Sequence, residues 1–97
     1  MTEMLRDNRD LERFEGWIDG EFAGEISYLL HPSGVIELTH TELREAARGT
    51  GLAGRLATFA FEQIRAEGTL KAKPSCPYLI AWTAKHPEYA DLLAASE

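Results

Sequence analysis

The stretch that decides the fold is VIELTHTELREAARGTGLAGRLATFAFEQIRAEGTLKAK, residues 35–73 of a 97-residue chain. Its middle part, from Gly51 to Glu67, carries apolar residues at three- and four-residue spacing and is followed by Gly68, which predicts an amphipathic helix. Strands are predicted on both sides of this helix, over about 35–43 and 70–73. A strand, a helix and a second strand in succession form a β-α-β unit, so we expect the two strands to be parallel neighbours in one sheet.

Antiparallel strands are predicted before this unit. Residues 13–30 form a predicted hairpin around Asp19-Gly20, because an Asp-Gly turn supplies the positive φ values that match strand twist. Shorter elements are predicted near the ends: a frayed edge strand over 3–7 within residues 1–12, and helices over 77–85 and 88–95. The predicted fold class is therefore α+β, a single domain over residues 1–97 with a mostly antiparallel twisted sheet, one β-α-β unit and two main helices.

Composition narrows the function classes. The chain has 10 Lys and Arg and 16 Asp and Glu, which gives a net charge of −6. A general nucleic-acid binder carries a basic face, so we expect no nucleic-acid partner. The single cysteine, Cys76, predicts a free thiol in a reducing compartment. The sequence shows neither a secretory leader nor an apolar run of about 20 residues, so we expect a cytoplasmic protein without membrane contact. His31, His40 and His86 lie on separate predicted elements, so no metal site is expected.

A glycine-containing loop, RGTGLA at 48–53, lies between the predicted strand and the predicted helix. The first N–H groups of a helix have no internal partner, the helix dipole makes that end positive, and glycine lets an anion approach the backbone closely. The loop contains neither the Gly-Lys-Ser/Thr of a Walker A motif nor the G-x-G-x-x-G dinucleotide fingerprint. Spacing alone leaves two interpretations, an anion-binding loop and a plain tight turn.

Ionisable side chains follow the apolar half of the predicted strand 35–43. Because side chains alternate along a strand, Ile36, Leu38, His40 and Glu42 are expected to share one face. This face changes from apolar to ionisable as the strand approaches the glycine loop, which is typical of a pocket wall. The alternative is a pair of solvated side chains at a strand end, and a bulge would shift the faces.

Cys76 precedes Pro77, and proline favours the first position of a helix, so Cys76 or Ser75 is predicted to cap the second helix. A thiol at this position is close to the positive helix end, which favours the thiolate. The alternative is a small buried core residue, which is the usual environment of a lone cysteine.

Residues 48–53 also match R/Q-x-x-G-x-G/A, the acetyl-CoA signature of GNAT-type N-acetyltransferases, between a central strand and the long helix as in that family. Over roughly residues 13–93 the chain resembles this superfamily, in particular its short stand-alone YjdJ-like branch. The other phrases that carry the resemblance are LTHTEL at 38–43, PSCPY at 74–78 and HPEY at 86–89. The resemblance implies a GNAT-like sheet whose parallel strands splay to form a cleft for coenzyme A.

The resemblance also implies roles for individual residues. Acetyl-CoA is the implied cosubstrate, with its pyrophosphate on the loop N–H groups and its pantetheine arm paired with the strand end. The implied cofactor-binding residues are Thr41, Leu43, Arg48, Gly49, Thr50, Gly51, Leu52, Ala53 and Arg55. The thioester would then face the candidate catalytic residues His40, Glu42 and Cys76.

The implied reaction is acetyl transfer to a primary amine by direct attack on the thioester. His40 or Glu42 would take the ammonium proton, and Cys76 would protonate the leaving thiolate or be acetylated first. The direct route is preferred because holding both substrates together already gives a large proximity effect. The acceptor, a small molecule or a protein, and the oligomeric state are left open. The alternative functions are a CoA-binding module or sensor without turnover, and a protein-interaction domain that retains the fold.

The sequence departs from the larger family in two respects. Asp19-Gly20 leaves room only for a turn where the family has a helical segment between the first two strands, and that segment normally shapes the acceptor site. The usual Asn and Tyr pattern in the second helix is also not matched, and Cys76 stands near where that pattern begins.

Overall fold

The computed structural model describes residues 2–95, which form a five-stranded sheet with helices packed on one face. The elements are β1 (Glu3–Asn8), β2 (Arg13–Ile18), β3 (Glu21–His31), β4 (Val35–Leu43), a 3₁₀ turn (Glu45–Ala47), α1 (Leu52–Glu67), β5 (Lys71–Pro74), α2 (Pro77–Ala84) and a C-terminal 3₁₀ helix (Pro87–Leu92). The strands lie in sequence order; the first four are antiparallel neighbours and β5 pairs parallel with β4. The predicted α+β class and its β-α-β unit are confirmed.

The two ends of the chain differ in detail from the prediction. The strand expected over 3–7 is β1, so the connection between the first two strands is the turn at 9–12, and Asp19-Gly20 joins β2 to β3. Both connections are turns, and neither contains a helix. The short helix expected over 88–95 is present but ends earlier: it is a 3₁₀ helix that ends at Leu92, and Leu93 then forms a parallel bridge with Ala72 on the outer edge of β5.

The core lies between α1 and one face of the sheet. The helix contributes Leu56, Phe61 and Ile64, which are almost completely buried, together with its first residue, Leu52. Gly16 on β2 permits this contact, because a Cβ atom there would lie 3.1 Å from Leu52 Cδ1. The start of α1 is thereby held directly against the sheet. Among the described residues, no helix is both long and apolar enough to cross a membrane.

A one-residue bulge at Thr39 reverses the two faces of β4. His40 pairs with Ser27 and Leu38 with Tyr28, which leaves Thr39 as the extra residue. The prediction that Ile36, Leu38, His40 and Glu42 share one face is therefore wrong. Beyond the bulge Thr41 and Leu43 continue the helix-covered face, whereas His40 and Glu42 lie on the opposite face, which we call the open face of the sheet.

A buried carboxylate anchors the open face at β2. The side chain of Glu15 is fully buried, and its oxygens accept hydrogen bonds from Arg6 Nε (2.7 Å), Arg13 Nε (2.6 Å), Asn8 Nδ2 (3.0 Å) and Trp17 Nε1 (3.1 Å). Burial alone would raise the pKa of Glu15, but the four donors outweigh it and lower the pKa to about 2. The charged Glu15 side chain on β2 therefore connects β2 to β1 through its hydrogen bonds with Arg6 and Asn8.

The substitution Glu15→Gln tests this anchor. Because the pKa of Glu15 is depressed in the folded protein, its stabilisation is present above about pH 4.5 and is lost as the pH falls towards about 2. We expect Glu15→Gln to lower the free energy of unfolding near neutral pH by about 1–3 kcal/mol and to flatten its decrease in acid. Urea unfolding at several pH values measures both effects. The exposed Glu21→Gln is the control, and equal behaviour of the two variants would contradict the assignment.

Candidate active site

The pairing of β4 with β5 stops halfway along β4. The ladder runs from Val35–Lys71 to Leu38–Pro74, and its last hydrogen bond is donated by the Ser75 N–H to the Leu38 carbonyl at 2.9 Å. Because alternate residues of β5 donate to β4, the next donor after Ser75 would be Pro77, which has no N–H and begins α2, so the chain leaves the sheet. In the described part of the chain no other strand pairs with residues 39–43 on this side. This edge of β4 can therefore pair with an extended ligand.

The glycine loop presents free N–H groups beside this edge. Gly49 and Gly51 have φ values of 79° and 84°, the left-handed region that glycine adopts without steric cost. Within residues 2–95 the N–H groups of Gly49, Gly51, Ala53 and Gly54 have no hydrogen-bond acceptor. No atom lies within 4 Å of the position that a Cβ on Gly49 would take. The loop therefore offers exposed donors and open space at the positive end of α1.

A cleft of about 400 Å³ joins the strand edge to the loop. Four predicted cofactor-binding residues, Thr41, Leu43, Arg48 and Ala53, line it together with Glu42 and Tyr78. The exposed Arg48 side chain makes no ion pair with any other residue that the structure describes. The cleft therefore combines an unpaired cation, free N–H donors and a free strand edge.

Three further predicted cofactor-binding residues, Thr50, Leu52 and Arg55, have structural contacts of their own. Thr50 Oγ1 accepts the Leu52 N–H at 3.3 Å, and the Leu52 side chain is fully buried. Arg55 donates to Glu3 Oε1 from Nη2 at 2.7 Å and to the Thr50 carbonyl from Nη1 at 2.9 Å. These residues hold the loop and the helix start in place, and the charge of Arg55 is already offset by Glu3.

Cys76 lies on the opposite wall, where β4 and α2 diverge. It is the N-cap residue of α2 and is 8% exposed, with its Sγ atom 3.6 Å from Thr41 Oγ1. Burial acts to raise the pKa of Cys76, but hydrogen bonds from the Thr41 hydroxyl and from the backbone N–H groups of Leu79, Tyr78 and Thr41 lower it below the ordinary value. The thiol is therefore both buried and stabilised as a thiolate.

The structure separates His40 and Glu42 from Cys76. His40 Nε2 lies 3.2 Å from Glu42 Oε2, and the two side chains are 58% and 63% exposed on the open face, whereas Cys76 contacts Thr41 on the helix-covered face. Glu42 nevertheless lines the cleft, at the edge of β4. Within residues 2–95, no three His, Cys, Asp or Glu side chains are grouped to hold a metal ion.

Tyr78 is a cleft residue that is missing from the predicted set. Its hydroxyl oxygen lies 3.9 Å from the position that a Cβ on Gly54 would take, so the ring reaches across to the start of α1. Burial, followed by the nearby charge of Cys76, raises the pKa of Tyr78 and keeps the phenol protonated. The signal in the sequence was Pro77, which begins α2 and so places Tyr78 in its first turn.

The structure defines a class of protein, an α+β domain in which the free edge of a parallel strand lies beside the N–H donors at a helix start. Such a domain is suited to an extended, diphosphate-containing cosubstrate. A family model described as GCN5-related N-acetyl-transferase matches residues 13–92. The chain belongs to this family, which confirms the predicted GNAT superfamily and the enzyme class, an N-acetyltransferase. The YjdJ-like branch stays a prediction.

Solved structures have the same fold. A GCN5-like protein from Staphylococcus aureus, determined by NMR, superposes with a TM-score of 0.68 at 22% identity over 97% of this chain and 90% of that one. The crystal structure of a ribosomal-protein-alanine N-acetyltransferase from Brucella melitensis gives a TM-score of 0.56 at 18% identity, over 88% of this chain and 62% of that one. No curated protein is significantly similar in sequence. At 22% and 18% sequence identity, these structural similarities establish a shared fold and nothing further.

The substitution Thr41→Val tests the environment of the thiol. It removes the hydroxyl that stabilises the thiolate, so we expect the pKa of Cys76 to rise by up to about one unit, the equivalent of one hydrogen bond. Ultraviolet absorbance of the thiolate against pH measures this pKa cleanly, because Cys76 is the only cysteine. Thr83→Val, which removes a hydroxyl bonded to the Ile80 carbonyl on α2, is the control. An unchanged or lower pKa in Thr41→Val contradicts the contact.

Proposed function

We propose that this enzyme transfers an acetyl group from acetyl-CoA to a primary amine. The cleft between the free edge of β4 and the start of α1 carries the proposal. The pantetheine arm contains amide groups, which pair with the backbone of Thr41 to Leu43 as an added strand does. The diphosphate accepts hydrogen bonds from the free N–H groups of Gly49, Gly51, Ala53 and Gly54, and Arg48 offsets part of its charge.

Local charge explains how an acidic protein attracts an acidic cosubstrate. The net charge of the chain is −6, but the cleft combines the positive end of the 16-residue helix α1 with the unpaired Arg48. Such local potentials, rather than net charge, decide where a small anion binds.

In the proposed reaction the amine attacks the thioester directly. Glu42, with His40 in contact with it, accepts a proton from the ammonium form of the acceptor, which frees the nitrogen lone pair. The nitrogen–carbon bond forms and the carbon–sulfur bond breaks, so that the acetyl group passes to nitrogen and the electron pair to sulfur. The acylated nitrogen then releases its excess proton to solvent, which leaves the neutral amide. Holding both reactants beside β4 supplies the proximity effect.

Cys76 is the proposed proton donor to the leaving thiolate. The contacts that lower its pKa, from Thr41 and from the first turn of α2, make the thiol a stronger acid and stabilise the thiolate that it becomes. The proton that Glu42 took from the amine then returns to Cys76 through solvent, so the enzyme regains its initial protonation state. In this route no acetyl group is attached to Cys76.

Binding of acetyl-CoA is tested with a pair of glycines at opposite ends of α1. Gly49 and Gly68 have φ values of 79° and 75°, and neither has an atom within 4 Å of its Cβ position. Gly49→Ala and Gly68→Ala therefore introduce the same backbone strain, of about 1–2 kcal/mol, without a clash in the protein. We expect only Gly49→Ala to weaken acetyl-CoA binding, by about tenfold or more, because its methyl group obstructs the diphosphate.

Calorimetry and NMR titration with acetyl-CoA provide the measurement. Shifts confined to residues 39–54 and to the first turn of α2 support the cleft. Equal affinities for the two alanine variants refute the loop assignment. Binding without acetylation of any amine favours a CoA sensor, and no binding at millimolar ligand favours a protein-interaction domain.

The catalytic roles are tested by turnover at saturating acetyl-CoA. Glu42→Gln and Cys76→Ala are each expected to lower kcat by about 10²- to 10⁴-fold, the usual contribution of general acid–base catalysis, while acetyl-CoA affinity changes little. Glu45→Gln, an exposed neighbour on the 3₁₀ turn, is the control. Unchanged kcat in both catalytic variants contradicts the assignment, and an acetyl-Cys76 adduct trapped with acetyl-CoA contradicts the direct route.

A further inference from the structure

A second pocket shares a wall with the acetyl-CoA cleft. It lies on the open face of the sheet, has a volume of about 300 Å³, and is lined by Arg13, Trp17, Phe22, Glu25, Glu42 and Arg44. We call it the open-face pocket. Glu42 lines both this pocket and the cleft, so its carboxylate stands at the boundary between them. A molecule bound in the open-face pocket reaches the proposed base from the side away from α1.

Carboxylates cross the sheet in one row towards that boundary. Glu15, Glu25 and Glu42 are direct cross-strand partners on β2, β3 and β4, an arrangement that is destabilising for like charges. The number of neutralising cations decreases along the row. Among residues 2–95, Glu15 is bonded to Arg6 and Arg13, and Glu25 has one arginine, Arg13, at 3.7 Å. Within the same residues Glu42 has no arginine or lysine partner, and its one contact of this kind is with the His40 imidazole. The uncompensated negative charge is therefore concentrated at Glu25 and Glu42, where a ligand ammonium group reduces the repulsion.

A second arginine, Arg44, lines the pocket beside Phe22, whose ring centre the guanidinium carbon of Arg13 approaches to 4.7 Å. The guanidinium carbon of Arg44 lies 5.3 Å from the centre of the Phe22 ring, and Arg44 has no ion pair with any residue from 2 to 95. Its backbone N–H donates to the Ala23 carbonyl at 2.8 Å, which anchors the residue where β4 ends. Trp17 packs edge-on against Phe22, with ring centres 5.7 Å apart, and the two rings supply the aromatic part of the pocket lining.

From this arrangement we infer that the acceptor is a small amino-carboxylate, a molecule with a primary ammonium at Glu25 and Glu42 and a carboxylate at Arg44. The inference rests on the proposed function. The planar guanidinium group of Arg44 can donate two parallel hydrogen bonds to a carboxylate. The neighbouring carboxylates of Glu25 and Glu42 can accept hydrogen bonds from an ammonium group. The volume is at the lower end for ligand pockets, which suits a small molecule rather than a protein segment.

Matched acids and amides test this inference. The full chain is assayed with acetyl-CoA and glycine, β-alanine or γ-aminobutyrate, each against its carboxamide, with putrescine as a diamine. We expect kcat/KM to favour at least one acid over its amide by about tenfold or more, the value of a hydrogen bond to a charged group. Arg44→Gln should abolish that preference, whereas Lys85→Gln, which removes an exposed cation just after α2, should retain it.

A second variant and a binding measurement complete the test. Glu25→Gln should raise KM for the preferred acid by about tenfold and change kcat little, since Glu25 holds the amine but does not take its proton. With the protein saturated with CoA, the preferred acid should shift the NMR signals of Trp17 and Arg44. Putrescine or the amides as better acceptors, an unaltered preference in Arg44→Gln, or no shift with any acid overturns the inference.

Failure of the inference is distinguishable from failure of the proposed function. Acetyl-CoA binding by calorimetry, in wild type and in Arg44→Gln, is independent of the acceptor. Normal acetyl-CoA binding with the wrong acceptor pattern rejects only the open-face pocket. Loss of acetyl-CoA binding in the wild-type protein rejects the proposed function, and the inference with it.

Discussion

The early end of the β4–β5 ladder is the constraint on which the site depends. If the parallel pair continued past Leu38 and Pro74, the edge of β4 would be covered by protein backbone and no extended ligand could pair with it. Pro77 prevents this, because it is the next residue in register to donate to β4, has no N–H and begins α2 away from the sheet. The same divergence places Cys76 and the first turn of α2 across the gap from Thr41. One change of chain direction therefore creates the cleft and positions the thiol.

The start of α1 must be held rigidly if its N–H groups are to bind a ligand. Leu52, the first residue of the helix, packs against the backbone at Gly16, so the helix start touches the sheet without an intervening side chain. Thr50 and Arg55 hold the loop from the other side, and Arg55 is in turn bonded to Glu3 at the far edge of the sheet. This support leaves the N–H groups of Gly49, Gly51, Ala53 and Gly54 free, because none of them takes part in the fixing contacts.

The two faces of the sheet serve different purposes and meet at β4. The helix-covered face supplies the apolar core, as expected for a chain of 97 residues. The open face carries charge, and there the buried Glu15 stabilises the sheet while Glu25 and Glu42 remain incompletely neutralised. Because turns connect the first strands, no inserted helix covers this face. The sheet itself can therefore form the acceptor site, with Glu42 at the boundary of both pockets.

The sequence alone determined the local features of this protein. The Asp-Gly turn, the apolar period of α1, the glycines at 49 and 51 and the proline before α2 act within a few residues, so their effects follow from backbone geometry. It did not reveal that the bulge at Thr39 turns His40 and Glu42 to the open face, because one extra residue depends on how β4 meets β3. The sequence also did not reveal the ion pair between Arg55 and Glu3, which are 52 positions apart, or the contact of the Arg44 guanidinium with the Phe22 ring. These contacts follow from strand register and side-chain packing, which bring together residues that are distant in the chain.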